Sequence, residues 1–241
     1  MNALWLNRMC EYKHSPHALE SAMNLIEAKI SRESVLLKKY KKKPYDESLT
    51  GITSTEELLL FEARAARHFW HAYASLLPEY STFTARIPGG HDPVNRLLDI
   101  GFHHVSTKLH SYLDSRGIPT ALGLIHTAHT SYATPLVYDL MELFRADIVD
   151  AELLRFLHLK KEPVHSIEHE VAHFIHELDE RFSRLHYLSD FKQCHTYLYH
   201  MQLQVLTFVD SIDHKNIFIP RVLPDRHDSR CLTAGRHMLE L

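Results

Sequence analysis

Asp139 and Glu142, in the stretch LVYDLMELFR (residues 136–145), are the side chains in this sequence whose types and spacing best suit chemistry. At i, i+3 two carboxylates share one face of a helix. Thr134 and Pro135 just upstream read as N-cap and first helical residue, which sets both acids in the opening turns. His126 stands before them in ALGLIHTAHT. One imidazole and two carboxylates brought together make a seat for a hard or borderline divalent cation such as Mg²⁺ or Mn²⁺. On spacing alone the same acids also fit a solvated helix face, with Glu142 paired to Arg145 a turn further on.

A second metal-binding pattern competes with the first. HEVAH, residues 169–173, matches the H-E-x-x-H arrangement in which two histidines at i, i+4 hold zinc and the glutamate activates its water. Asp179 stands where one branch of zinc proteases has a third ligand, but His176 occupies the place of that branch's glycine. No strand is evident upstream along which a peptide could lie. His165, His169, His173 and His176 fit a polar stripe on an amphipathic helix better, which leaves a zinc metalloprotease as the lesser alternative.

These residues need helices to carry them. Glycine is scarce, at seven residues, strand signals are weak, and the 3.6-residue period recurs throughout. The pattern predicts helices at about 17–40, 54–77, 93–115, 135–157, 164–187 and 190–212. Thr53 with Glu56 and Ser54 with Glu57 form overlapping capping boxes, Asp92-Pro93 a cap and first residue, and Gly117 a helix stop. The expectation is an all-α fold, one domain of about six main helices over residues 1–241, with a frayed tail after about residue 225.

With 241 residues, 45% hydrophobic and 24% charged, the chain has the composition of an ordinary globular domain. No apolar run approaches the roughly 18 residues of a membrane span. The N-terminus lacks a secretory layout, and three widely spaced cysteines make no disulfide framework or zinc cluster. Both point to the cytoplasm. Net charge is −3, mildly against nucleic acid as a partner. Yet KKYKKK concentrates Lys38, Lys39, Lys41, Lys42 and Lys43 within six residues. Such a run either tracks a phosphate backbone or is simply solvated.

Four ordered segments resemble the CRISPR-associated adaptation integrases, the endonucleases that insert spacers into CRISPR arrays. EAKISRESVLL is similar to the family's entry helix, and LLLFEARAARHFWHAY to its glutamate motif. DPVNRLLDIGFHHV resembles its DPVN helix. GIPTALGLIHTAHTSYATPLVYDLMELFR resembles its histidine loop and D-L-M-E-x-F-R helix. The resemblance implies a catalytic group of Glu62, His126, Asp139 and Glu142. Of these, Glu62, His126 and Glu142 would be ligands to Mg²⁺ or Mn²⁺, with His129 the fallback for His126. It implies Arg67 and Arg145 near substrate phosphates, Tyr138 against displaced bases, and Asn95 as a polar residue of the site.

The reaction implied is joining of spacer 3′-hydroxyls to a repeat by phosphodiester transesterification. The partners the resemblance implies are double-stranded DNA, further copies of the chain as a dimer or tetramer, and a small companion protein. Family members usually begin with a β-rich domain, and this sequence opens almost directly at the helical part. A catalytically idle DNA-binding or assembly subunit of the same fold and a related transposon-encoded integrase are the alternatives.

Overall fold

A computed structural model of the chain describes residues 3–127, 134–164, 166–188 and 192–221. Its α-helices are α1 (Ala3–Lys13), α2 (His17–Lys39), α3 (Thr55–Ala74), α4 (Pro93–Ser115), α5 (Pro135–Met141), α6 (Ala151–Lys160), α7 (Ile167–Ser183) and α8 (Tyr197–Asp213). A π-helical stretch, Ala146–Asp150, joins α5 to α6. An antiparallel pair of four-residue strands, β1 (Leu185–Leu188) and β2 (Gln193–Thr196), sits between α7 and α8. The mainly helical class agrees with the sequence.

The helix ends show why three boundaries fall where local chemistry puts them. Ser54 Oγ accepts from Glu57 N at 3.2 Å, and Glu57 Oε2 accepts from Thr53 N at 2.7 Å. Of the two expected caps, Ser54 is the one that forms, and the Glu57 carboxylate reaches back to Thr53 N, one residue before the cap. Asp92 Oδ1 accepts from Asn95 N at 3.0 Å, with Pro93 next. Gly117 stops α4 at φ +66°, where a side chain would be strained.

Elsewhere the structure corrects the sequence. The expected helix over 135–157 breaks after Met141. Residues 142, 143 and 144 each donate to the carbonyl three residues back, at 3.3, 3.2 and 2.9 Å, a tightening that the wide π turns then release. The expected helix over 164–187 runs only from Ile167 to Ser183 and gives way to β1. That expected over 190–212 starts at Tyr197, where Thr196 Oγ1 accepts from Tyr199 N. Helix α1 has no counterpart among the expected helices; it buries Trp5, Met9 and Tyr12 along one seam. Cys10 is a free thiol, whereas Cys194 in β2 is disulfide-bonded, where their spacing suggested no disulfide framework. The tail after residue 225 lies outside the described residues.

Packing places α4 at the centre. It lies against α5, α7 and the π stretch, while α2 packs on α3 and on the same π stretch. At Gly101 in α4 the approach is so close that an added Cβ would lie 2.5 Å from Val149 Cγ1 in the π stretch. Among the described residues no helix is long and apolar enough to cross a membrane.

Candidate active site

Asp139 organises the approach to the site. Its side chain is buried between α5 and the loop before it, and each oxygen accepts two hydrogen bonds. Oδ2 takes Leu124 N at 2.5 Å and Ile125 N at 3.2 Å; Oδ1 takes His126 N at 3.0 Å and contacts His126 Nδ1 at 2.6 Å. Gly123 lies so close to Oδ2 that any Cβ there would collide with it. The carboxylate is thus committed to shaping the loop and fixing one ring nitrogen of His126, so ligation of an ion would fall to Nε2. Burial works to lower the His126 pKa, but its hydrogen bond to Asp139 and the charges of Asp139 and Glu142 outweigh that and raise it. Asp139, expected beside the ligands, has both oxygens engaged by the loop and the His126 ring.

Glu62 and Glu142, on different elements, converge on one cation. It is the ammonium of Lys29, which contacts Glu62 Oε1 and lies 2.9 Å from Glu142 Oε2. Lys29 and Glu142 side chains are each 7% exposed. Glu142 Oε1 accepts from Arg145 Nη1 at 2.7 Å, while its Oε2 is buried without a well-aligned hydrogen bond. Burial presses the Glu142 pKa upward, yet Arg145 and Lys29 hold it at about 2. Two further acids stand in the same charged core. Burial pushes Glu33, one turn along α2 from Lys29, up to about 7 despite Lys29, and Asp150 up to about 8 despite Arg145.

Two arginines bracket an aromatic ring at the mouth. Arg145 Cζ is 4.2 Å and Arg86 Cζ 5.3 Å from the Phe102 ring centre. With His103, His126, Tyr138 and Glu142 they line a cleft of about 320 Å³. Tyr138 and His126 rings stand 6.2 Å apart within it. Lys29, Glu33, Arg86 and His103 are the residues that sequence reasoning missed. Only the i, i+4 spacing of Lys29 and Glu33 hinted at them, and it names no third partner.

The donor types are those that suit a divalent ion. Two carboxylates already surround a positive charge, and a histidine with its ring fixed lines the cleft beside Glu142. Among the described residues, however, no three His, Cys, Asp or Glu side chains are grouped tightly enough to hold an ion as they stand. His129 lies outside the described residues.

The other expected residues scatter. Asn95 is 1% exposed and its amide is fully engaged. It accepts from Arg86 Nη1 and Ile87 N and donates to Ala85 O and Asp92 Oδ2, so it braces a loop and cannot meet DNA. Arg67 is exposed on α3. Five residues from Glu62, it points about 140° away around the helix and does not share that face. Lys38 and Lys39 are exposed at the end of α2, and Lys41 and Lys43 in the turn beyond. Lys42 is half-buried, and Lys43 pairs with Asp46 at 2.9 Å.

The zinc-protease pattern fails on geometry. Glu170 is held by Lys160 at 2.5 Å, its side chain 14% exposed, so the would-be general base is engaged elsewhere. His173 approaches Glu177 instead, at 3.5 Å, and His165 lies outside the described residues. Glu170→Ala is therefore expected to act through the lost Lys160 pair, on stability, and to leave any DNA cleavage by this chain unchanged within about twofold. A nuclease assay on this variant checks it; a loss beyond about tenfold would return the motif to the site.

A family model described as CRISPR associated protein Cas1 matches residues 2–171. The CRISPR-associated endonuclease Cas1 1 of Saccharolobus solfataricus is 30% identical over 166 residues, which is 63% of this chain and 46% of that protein. The chain thus spans about half the length of that relative. Among solved structures, a casposase bound to integration product has a TM-score of 0.79 at 20% identity, covering 100% of this chain and 74% of that one. A Cas6-RT-Cas1–Cas2 complex has a TM-score of 0.72 at 21% identity, covering 91% of this chain and 26% of that one. Likeness at these identities is a likeness of fold.

Proposed function

This chain belongs to the CRISPR-associated Cas1 family, and from that we propose that it is a metal-dependent DNA integrase and endonuclease. The observation that carries the reading is the convergence of Glu62 and Glu142, from distant parts of the chain, on one cation beside the cleft of His126. In the reaction a spacer 3′-hydroxyl oxygen attacks a repeat phosphodiester. A new P–O bond forms, the old one breaks, and the leaving 3′-oxygen takes up a proton. A bound Mg²⁺ or Mn²⁺ on Glu62, His126 and Glu142 would supply charge neutralisation at the phosphate and a more acidic attacking hydroxyl.

The chain's own side chains do the rest. Asp139 holds the His126 ring in one orientation, and Arg145, with Arg86 beside it, presents guanidinium charge to phosphate oxygens across the cleft. Tyr138 offers a ring face for a displaced base. No covalent protein nucleophile is required. Incubating the protein with a short duplex and a supercoiled plasmid carrying a repeat, with Mg²⁺ or Mn²⁺, should give covalently joined product. Absence of joining with either ion would overturn the reading and favour an idle DNA-binding or assembly subunit. Equal joining into plasmids with and without a repeat would favour the transposon-type integrase.

Joining both ends of a spacer needs two sites at a fixed separation, so self-association with two-fold symmetry is part of the proposal. A small companion protein is a further proposed partner, in keeping with the Cas1–Cas2 assembly of similar fold. The exposed lysines at the end of α2 are proposed to hold the duplex backbone. Neutralising Lys39, Lys41, Lys42 and Lys43 should weaken binding equally for repeat and unrelated DNA. It should also flatten the salt dependence by up to about 0.9 log unit per lost phosphate contact. Binding with an unchanged salt slope would place the DNA path elsewhere.

A further inference from the structure

The ammonium of Lys29 stands where the proposed reaction needs a metal ion. It contacts Glu62 Oε1 and lies 2.9 Å from Glu142 Oε2, with its side chain only 7% exposed. A divalent ion and an ammonium cannot share these oxygens, because two cations so close repel strongly in a buried setting. Without some cation, though, Glu62 and Glu142 would face each other as like charges in a largely buried site, with only Arg145 on Glu142 to offset them. Glu33 lies one helical turn from Lys29 on α2, is itself buried, and enters no ion pair among the described residues. A lysine charge rides on a flexible four-carbon stem, and i, i+4 neighbours on a helix are within its reach.

Resting on the metal-site reading above, we propose that Lys29 is a tethered stand-in cation: its ammonium holds Glu62 and Glu142 in the metal-free protein and moves to Glu33 when a divalent ion enters. The lysine is then a positioning residue with two stations. It keeps the carboxylates assembled and sets the affinity for the ion, since every binding event must displace it. The observed affinity is the intrinsic one reduced by the fraction of molecules whose ammonium is already away.

The test is titration of MnCl₂ into the metal-stripped full chain, read by calorimetry and by thermal unfolding. Lys29→Met, which keeps the stem, should bind Mn²⁺ at least about tenfold more tightly while its metal-free melting temperature falls. Glu33→Gln removes the second station and should weaken Mn²⁺ binding severalfold without unfolding the protein. Glu142→Gln serves as the control for the site itself. If Glu142→Gln abolishes binding but Lys29→Met binds no more tightly than wild type, the stand-in role of Lys29 is overturned and the metal site survives. If Mn²⁺ binding ignores Glu142→Gln, or the wild type binds none, the metal site falls and this inference with it. Should Lys29→Met fold only in MnCl₂, that dependence supports the proposal. Wild-type affinity in Glu33→Gln overturns the second station in any case.

Discussion

Glu142→Gln is expected to lower strand joining and DNA cleavage by roughly a thousandfold, since ion-mediated charge stabilisation is worth several kcal/mol and each ~1.36 kcal/mol is tenfold. The side chain is nearly isosteric, so the loss isolates charge from shape. The fold loses something too, because Glu142 is buried between Arg145 and Lys29. Breaking a buried pair outright costs about 3–5 kcal/mol. Glutamine should cost less, about 2 kcal/mol, because its amide oxygen still accepts from Arg145 and Glu62 still pairs with Lys29. Alanine would confound the two effects. The folded pKa of about 2 lies below the ordinary 4.5, so this carboxylate stabilises the protein above about pH 4.5 and that increment is lost as pH falls through 2. The glutamine variant should lack that step in an acid unfolding series. Joining at wild-type rates by a folded Glu142→Gln would remove this residue from the site.

Asp139→Asn should be nearly as damaging, by a different route. Both carboxylate oxygens are saturated, one with Leu124 N and Ile125 N, the other with His126 N and its ring. An amide has one oxygen, and either way round its NH₂ must face donors. A buried mismatch of that kind costs on the order of 3 kcal/mol, and His126 loses the partner that fixes its ring. The expected result is a clear fall in melting temperature together with a loss of joining of about a hundredfold. Unchanged stability would mean that the loop finds other acceptors, and that Asp139 does not shape it.

Much of this fold was legible wherever local chemistry decides it. Ser54, Asp92-Pro93 and Gly117 mark their helix ends by hydrogen bonds and backbone preferences confined to a few residues, and α3 and α4 start within a residue of expectation. The segment after Pro135 resisted because it is buried nearly all round, so its apolar pattern has no face to report a break. The seam of α1 was readable, since Trp5, Met9 and Tyr12 recur at helical spacing, but only packing against α2 and α8 gives it a purpose. The site divides in the same way. Asp139, Glu142 and His126 stand in a recognisable block, whereas Lys29 gains its meaning from carboxylates on other elements. Asn95 misled for the converse reason. Its type suits DNA, but its amide is fully occupied inside the loop.

The π-helical stretch at Ala146–Asp150 makes this part of the chain intolerant of length change. A π turn is, in effect, one residue more than an α turn holds, and each residue advances an α-helix by about 100°. The stretch therefore offsets the phase of the turns before it from that of α6 after it. Glu142 and Arg145 face the charged core on one side of the offset, while Leu153, Leu154 and Leu157 face the apolar core on the other. Deleting a single residue here would remove that offset and rotate one of those two sets out of place. Surface loops absorb insertions and deletions at little cost; this segment, pinned against Gly101 in α4 and against α2, is an indel-forbidden stretch in the middle of the chain.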